Sequence, residues 1–120
     1  MMARQKFFLA LLLSALVCMW VGCHAYGVDV TIQNNGSVPV HNVEVDYPHA
    51  SFGVPVIQPG KSFWYHIKPT EQGTISISFE PENGKAVRKQ GPEVRPGAIE
   101  KLSLTLEQDS NHGWQLQVQH

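Results

Sequence analysis

Six segments of this chain follow a period of two between apolar and polar residues, with Trp64 at a polar position of one of them, and this alternation constrains the fold more than any other feature of the sequence. In the first segment, for example, single polar residues separate Val28, Val30 and Ile32. A period of two places apolar side chains on one face of a β-strand and polar side chains on the other. The segments are 28–33, 43–47, 63–68, 75–79, 102–106 and 114–118, with weaker strands expected around 51–57 and 86–90.

Turns that contain glycine, usually with Asn or Pro, separate these segments at residues 34–36, 58–61, 81–84, 95–97 and 111–113. Glycine supplies the positive φ that tight turns need, and proline presets the position before it. Asn35-Gly36-Ser37 also matches a glycosylation sequon, but a hairpin turn accounts for these residues fully. After residue 23 no segment keeps a helical period for more than a turn. Strands at this spacing predict an all-β, antiparallel sandwich.

The first 23 residues predict an export signal. Arg4 and Lys6 provide a basic start, an apolar run occupies residues 7–21, and Gly22 directly precedes Cys23. A charged region, an apolar region and a small-residue cleavage site follow one another in this order in secretory leaders. We expect a hydrophobic leader helix over residues 1–23 and a single domain over residues 24–120.

Three interpretations of the leader remain open. The sequence Trp-Val-Gly-Cys at 20–23 resembles a bacterial lipobox, whose cysteine is lipidated and becomes the new N-terminus, although Trp20 stands where leucine is usual. Cleavage after Ala25 would instead release a secreted chain. The apolar run of 15 residues could also stay as an anchor, although a membrane-spanning helix needs roughly 17–25 residues.

The two cysteines favour lipidation. Cys18 and Cys23 both lie in the leader, and the domain that follows has none. A lone cysteine in an exported chain either cross-links or carries a modification that hides it. We therefore expect lipid on Cys23 and a protein anchored to a membrane of the bacterial cell envelope, facing the periplasm or the cell exterior.

The charge balance argues against a nucleic-acid partner. Two of the nine basic residues, Arg4 and Lys6, lie in the leader. The chain after Cys23 therefore has seven basic and ten acidic residues, for a net charge of −3. A nucleic-acid binder would show a basic patch or stripe.

Part of the chain resembles a known kind of domain. The run V-T-I-Q-N-N-G at 30–36, followed by 40–45 and by I-Q-P-G-K at 57–61 before an aromatic strand, is similar to bacterial immunoglobulin-like modules of the CARDB type. Such modules occur on cell surfaces. The resemblance, which extends over residues 28–106, implies a single immunoglobulin-like antiparallel β-sandwich of about seven to eight strands.

A narrower resemblance involves residues 42–48, the Ser-Phe-Gly sequence at 51–53 and Gly91-Pro92-Glu93. These residues resemble a group of small uncharacterised bacterial envelope proteins in which a hydrophobic leader precedes one such domain. That likeness implies fold and location and transfers no catalytic residue.

The residues offer little for catalysis or for a cofactor. There is no Gly-x-Ser-x-Gly elbow, and Glu44 and Asp46 share one polar strand face, where carboxylates are usually just solvated. Six histidines are present, but none forms a pair at zinc-ligand spacing. His41, His49 and His66 could form a metal site only if their strands were neighbours. We expect no enzyme, no cofactor and no metal.

Trp64 is the strongest binding candidate. The alternation places Phe63, Tyr65 and Ile67 in the core, so Trp64 should face outward beside His66 and Lys68 as a possible binding face. An exposed tryptophan on a sheet can stack on a sugar or anchor a peptide. The alternative is that a loop covers Trp64, or that the register is shifted and Trp64 is the core aromatic, which is the more common place for so large a side chain.

These patterns suggest a non-enzymatic binding or accessory module in an envelope complex. Its partner would be a protein, bound through an exposed sheet edge. Two alternatives stay open, namely a small periplasmic carrier of a metal or ligand that uses the surface histidines, and a structural spacer.

Overall fold

Eight β-strands make up the domain in a computed structural model, which describes residues 26–82, 84–111 and 113–120. The strands are β1 (Gly27–Asn34), β2 (Val40–Tyr47), β3 (Ala50–Ile57), β4 (Ser62–Ile67), β5 (Gly73–Pro81), β6 (Val87–Val94), β7 (Ile99–Gln108) and β8 (Trp114–Gln119). The leader and the lipidation site at Cys23 lie outside the described residues. Within the described ranges, no helix has the length and apolar character needed to cross a membrane.

The strands form two four-stranded sheets that face each other as a sandwich. Sheet A has the order β4-β1-β7-β8, and sheet B has the order β3-β2-β5-β6. All strand pairs are antiparallel except β1 and β7, which run parallel with Val30 beside Leu102. The predicted immunoglobulin-like β-sandwich is confirmed, with this one parallel pair as a departure from the antiparallel pattern. A parallel pair cannot be joined by a hairpin, and here the intervening strands β2 to β6 connect its members.

The core lies between the sheets and consists mainly of apolar residues that the alternation predicts. Among those with almost no exposed surface are Val30 and Leu104 from sheet A and Val45 and Ile77 from sheet B. Inner-face side chains of two packed sheets interdigitate in this way in β-sandwiches. The apolar faces of β1, β2, β5 and β7 therefore supply most of the core.

The alternation of β2 is broken by a β-bulge, which changes the face on which His41 lies. The pairing of β2 with β5 shifts register between His41 and Glu44, and Asn42 adopts a φ of 49°. Val40 and Val43 are both buried with two residues between them. The sequence places His41 on the face of Val43, and this is wrong because the bulge inserts an extra residue between them.

The 34–36 turn is not a hairpin, because β1 belongs to sheet A and β2 to sheet B. Asn34 is fully buried at this crossing. Its side-chain NH₂ group donates to the carbonyl oxygens of Val38 and Ile57, each at 2.9 Å, and its Oδ1 accepts from the Gly36 amide at 2.9 Å. This side chain replaces the backbone pairing of a hairpin and ties the crossing to the end of β3.

Candidate binding face

β4 is an edge strand of sheet A, and its one partner among the described strands is β1. In this pair Trp64 lies opposite Thr31, and His66 lies opposite Asp29. Ile67 is buried in the core. Because side chains alternate along a strand, Trp64 and His66 must point to the outer surface of the sheet. The type II turn before β4, in which Gly60 has a φ of 77° and the Lys61 amide donates to the Gln58 carbonyl, sets where this strand begins.

Trp64 is 60% exposed on the outer face of sheet A. Its position agrees with the predicted alternation. No described residue covers it as a loop would, and the register of β4 is not shifted. The alternatives of a covering loop and of a core tryptophan therefore do not hold for the described part of the chain.

A recess of about 310 Å³ lies beside the Trp64 ring. It is lined by Asp29, Thr31, Trp64, Lys101, Leu102 and Ser103. Thr31 pairs with Ser103 across β1 and β7, and Asp29 pairs with Lys101. The parallel pairing of β1 with β7 therefore brings polar side chains from both ends of the domain sequence next to the tryptophan. We call this surface, which is formed by the lining residues and His66, the Trp64 face.

His66 forms an ion pair at one end of the Trp64 face. Its Nδ1 lies 2.6 Å from Oδ1 of Asp29, and its Nε2 lies 3.0 Å from the carbonyl oxygen of Tyr26. An ionised Asp29 carboxylate and a carbonyl oxygen are both acceptors, so this arrangement favours the imidazole with a proton on both ring nitrogens, which is the cationic form. The hydrogen bond to Asp29, followed by that to Tyr26, raises the pKa of His66 above its ordinary value.

Lys68 follows β4 and is exposed. Its charge is close enough to His66 to oppose part of the rise in the histidine pKa. The structure thus brings together the three residues of the predicted binding face, Trp64, His66 and Lys68, at the edge of sheet A. It adds residues from β1 and β7 that the sequence did not indicate as part of this face.

Tyr65 differs from the sequence prediction, which places it in the core. Its side chain is 44% exposed because β4 is at the edge of its sheet. Its ring stacks on that of Phe52 in β3, with centroids 4.6 Å apart and planes at 20°. Tyr65 therefore covers the open side of the sandwich between β3 and β4 rather than filling its centre.

The candidate metal-binding histidines do not come together. His41 lies in β2 and His49 in the turn after it, both in the part of the chain that forms sheet B, whereas His66 lies in sheet A. His49 is paired with Glu71, with 2.5 Å between Nε2 and Oε2, and both side chains are largely exposed. Among the described residues no group of three His, Cys, Asp or Glu side chains could hold a metal ion.

The carboxylates Glu44 and Asp46 share the outer face of sheet B as predicted. Asp46 is 3.6 Å from the guanidinium group of Arg88, which also donates to the hydroxyl of the largely buried Ser76 at 3.1 Å. The Asp46 carboxylate thus has a structural partner. A shallow depression of about 460 Å³ runs over this part of β2 and β3, but its only aromatic side chain, Phe52, is buried in the core.

The comparisons with known proteins are informative about fold alone. No protein-family model matches the chain, and no curated protein matches it. One solved structure, an NMR structure of a protein from Eubacterium rectale, superposes with a TM-score of 0.62 at 10% sequence identity. The match covers 80% of this chain and 91% of that protein. At this level of identity, the likeness establishes the sandwich architecture and nothing about the site.

Proposed function

We propose that this protein is a non-catalytic binding module of the bacterial cell envelope, tethered to a membrane by lipid on Cys23, which recruits a protein partner by strand addition to β4. The observation that carries the proposal is the character of β4 as a sheet edge. No strand of the described residues pairs with its outer side, and it exposes two large aromatic side chains, Trp64 and Tyr65. A free edge strand offers unpaired backbone donors and acceptors, and an added strand gains affinity from main-chain hydrogen bonds and specificity from side-chain contacts.

The other three edges are less suited to strand addition. Both edges of sheet B carry a proline, which is Pro55 in β3 and Pro92 in β6. Proline lacks the N–H group that pairing needs and is a common means of blocking an edge. The remaining edge, β8, exposes Gln115, Gln117 and Gln119 and no large apolar side chain. Within the strands that the structure describes, main-chain pairing and apolar contact are therefore available together only at β4.

The tether is supported by the leader sequence and by the position of the cysteines. Cys23→Ala is expected to leave the chain unprocessed by the lipoprotein signal peptidase and without lipid, as measured by the intact mass and by acyl-chain labelling. Cys18→Ala is the matched control, since it removes the other leader cysteine and should change neither. Normal processing and membrane retention of the Cys23→Ala chain would contradict the lipid tether.

Strand addition at β4 is tested with Tyr65→Lys. A lysine on an edge strand discourages pairing with another chain, so capture of the partner from envelope extract should be lost while the melting temperature confirms that the domain is folded. Gln117→Lys on β8 places the same charge on the other edge of sheet A and should leave capture unchanged.

Hydrogen exchange of the captured complex shows which strand of the domain the partner covers. The β4 amides should exchange more slowly when the partner is present, and those of β8 should not change. Protection of β8 alone, or equal capture by both variants, would contradict strand addition at β4. Absence of any partner in the extract would favour the structural spacer.

A further inference from the structure

The Trp64 face combines a flat exposed aromatic ring with a row of small polar side chains. Across sheet A, Trp64 lies beside Thr31, Thr31 beside Ser103, and Ser103 beside Gln119. Neighbouring strands are about 4.8 Å apart, so the row presents a ring, two hydroxyl groups and an amide at regular intervals across the sheet. The next row along the strands is also uncharged and consists of Ser62, Gln33, Thr105 and Gln117.

A sugar has the chemistry that this surface can recognise. One face of a pyranose ring is rich in C–H groups and packs on the electron-rich face of an indole, while its edge carries hydroxyl groups that both donate and accept hydrogen bonds. Serine, threonine and glutamine side chains also donate and accept. Ligand sites typically combine an aromatic surface with a few convergent polar groups of this kind, and the recess beside Trp64 supplies both.

The charges at one end of the face indicate which kind of sugar it accommodates. The Asp29 carboxylate already has a partner, because its Oδ1 lies 2.6 Å from Nδ1 of His66. Lys101 lines the recess and, among the described residues, has no carboxylate within 4.0 Å. Lys68 adds a second exposed cation near His66. The chain after Cys23 has a net charge of −3, so this local excess of positive charge runs against the overall balance.

We propose that the Trp64 face binds a carboxylate-bearing glycan, with a sugar ring stacked on Trp64, its hydroxyl groups hydrogen-bonded to Thr31 and Ser103, and its carboxylate paired with Lys101. Both proposals use the Trp64 ring, but the glycan also needs the outward side chains of β1 and β7, whereas strand addition needs the backbone edge of β4. Substitutions of Lys101 and of Tyr65 therefore test the two proposals separately.

The test uses the protein purified in detergent from the membranes of bacteria that express the full chain. A galacturonic acid oligosaccharide is titrated in a calorimeter, and the same oligosaccharide with its carboxyl groups reduced serves as the neutral probe. We expect the acidic probe to bind more tightly than the neutral one, and the difference to shrink at high salt because the ion pair is exposed. Trp64→Ala should weaken the binding of both probes about tenfold or more, as truncation of an aromatic anchor does.

Lys101→Gln separates charge from stacking. It should lower the affinity for the acidic probe about two- to fivefold, the range of an exposed ion pair, and leave the affinity for the neutral probe unchanged. Lys85→Gln, which removes an exposed cation on the β5–β6 connection, is the matched control and should change neither. Tyr65→Lys should retain sugar binding, which distinguishes this site from the β4 edge.

Three results would overturn the proposal: no binding of either oligosaccharide, equal binding of the acidic probe by Trp64→Ala and the unchanged protein, or tighter binding of the neutral probe. A polyglutamate peptide is included as a further probe. Binding of this peptide at the Trp64 face with an affinity equal to that of the acidic sugar would assign the face to an acidic protein segment and would also overturn the glycan proposal.

Discussion

Replacing Asn34 by aspartate tests whether its buried side-chain amide stabilises the crossing from sheet A to sheet B. The substitution keeps the size of the side chain but removes its NH₂ donors, which bond to the carbonyl oxygens of Val38 and Ile57. Oδ1 can still accept from the Gly36 amide, as it does in the native protein. The two carbonyl groups lose their donor and face a carboxylate oxygen in a site without solvent exposure.

The expected cost follows from the groups left unsatisfied. A buried acceptor without its donor costs about 1–3 kcal/mol, so two of them give about 2–6 kcal/mol before the desolvation of the new charge is counted. We take about 3 kcal/mol as the least effect at neutral pH. For a domain of this size, each kcal/mol lowers the melting temperature by about 4–8 °C, so a loss of roughly 12–24 °C is expected.

The loss should depend on pH in a defined direction. Burial and the two facing carbonyl oxygens favour the neutral acid, so the pKa of the introduced Asp in the folded state lies above its unfolded value of about 3.9. A protonated Asp also regains one O–H donor for one of the two carbonyl groups. The deficit is therefore full above the folded-state pKa and shrinks as the pH falls through it.

The assay is thermal unfolding followed by circular dichroism at about pH 7 and about pH 4.5. Asn35→Asp is the matched control, because Asn35 is the next residue, is exposed, and should cost less than about 0.5 kcal/mol. An equal effect of the two substitutions would refute the structural role of Asn34. A deficit that does not shrink at the lower pH would contradict a buried carboxylate that faces the two carbonyl oxygens.

Three further perturbations address the ends of sheet A. Gly27→Ala should destabilise the fold by about 1–3 kcal/mol in denaturant unfolding, because Gly27 has a φ of 139° and a Cβ there would overlap the carbonyl oxygen of Ile67 and the ring of His66. His66→Gln should lower the melting temperature most below about pH 6.5 and have less effect as the pH rises through the raised pKa of His66, where the native ion pair is itself lost. Trp114→Ala should cost about 3–5 kcal/mol in the same unfolding assay, because its largely buried ring packs edge-on against Phe79 with centroids 5.2 Å apart.

Much of the strand content could be predicted because each strand obeys a local rule. The buried positions of β1 and β7 follow from residue type and a period of two, and the outward direction of Trp64 follows from the same rule. Trp114 in β8 also follows its alternation into the core. Such predictions need no knowledge of which strands are neighbours.

The sequence predictions are wrong at residues whose position depends on a neighbouring strand or on the edge of a sheet. The bulge at Asn42 depends on how β2 pairs with β5, and the partial exposure of Tyr65 depends on β4 being an edge strand. The role of Asn34 depends on a crossing between sheets rather than on its turn motif. None of these relations leaves a signal in the local residue pattern, since they arise from pairings distant in sequence.

The parallel pair β1–β7 is the reason the rest of the Trp64 face could not be predicted, and it also gives the face its relation to the proposed tether. Asp29 and Lys101 are 72 positions apart in the sequence but lie side by side in this pair. The His66 ring that holds Asp29 also bonds to the carbonyl oxygen of Tyr26, three residues after Cys23. An extended chain spans at most about 3.3–3.6 Å per residue, so lipid on Cys23 would keep this end of the face within roughly 11 Å of the anchoring residue. If Cys23 carries the proposed lipid, a ligand of the Trp64 face has to reach close to the membrane surface.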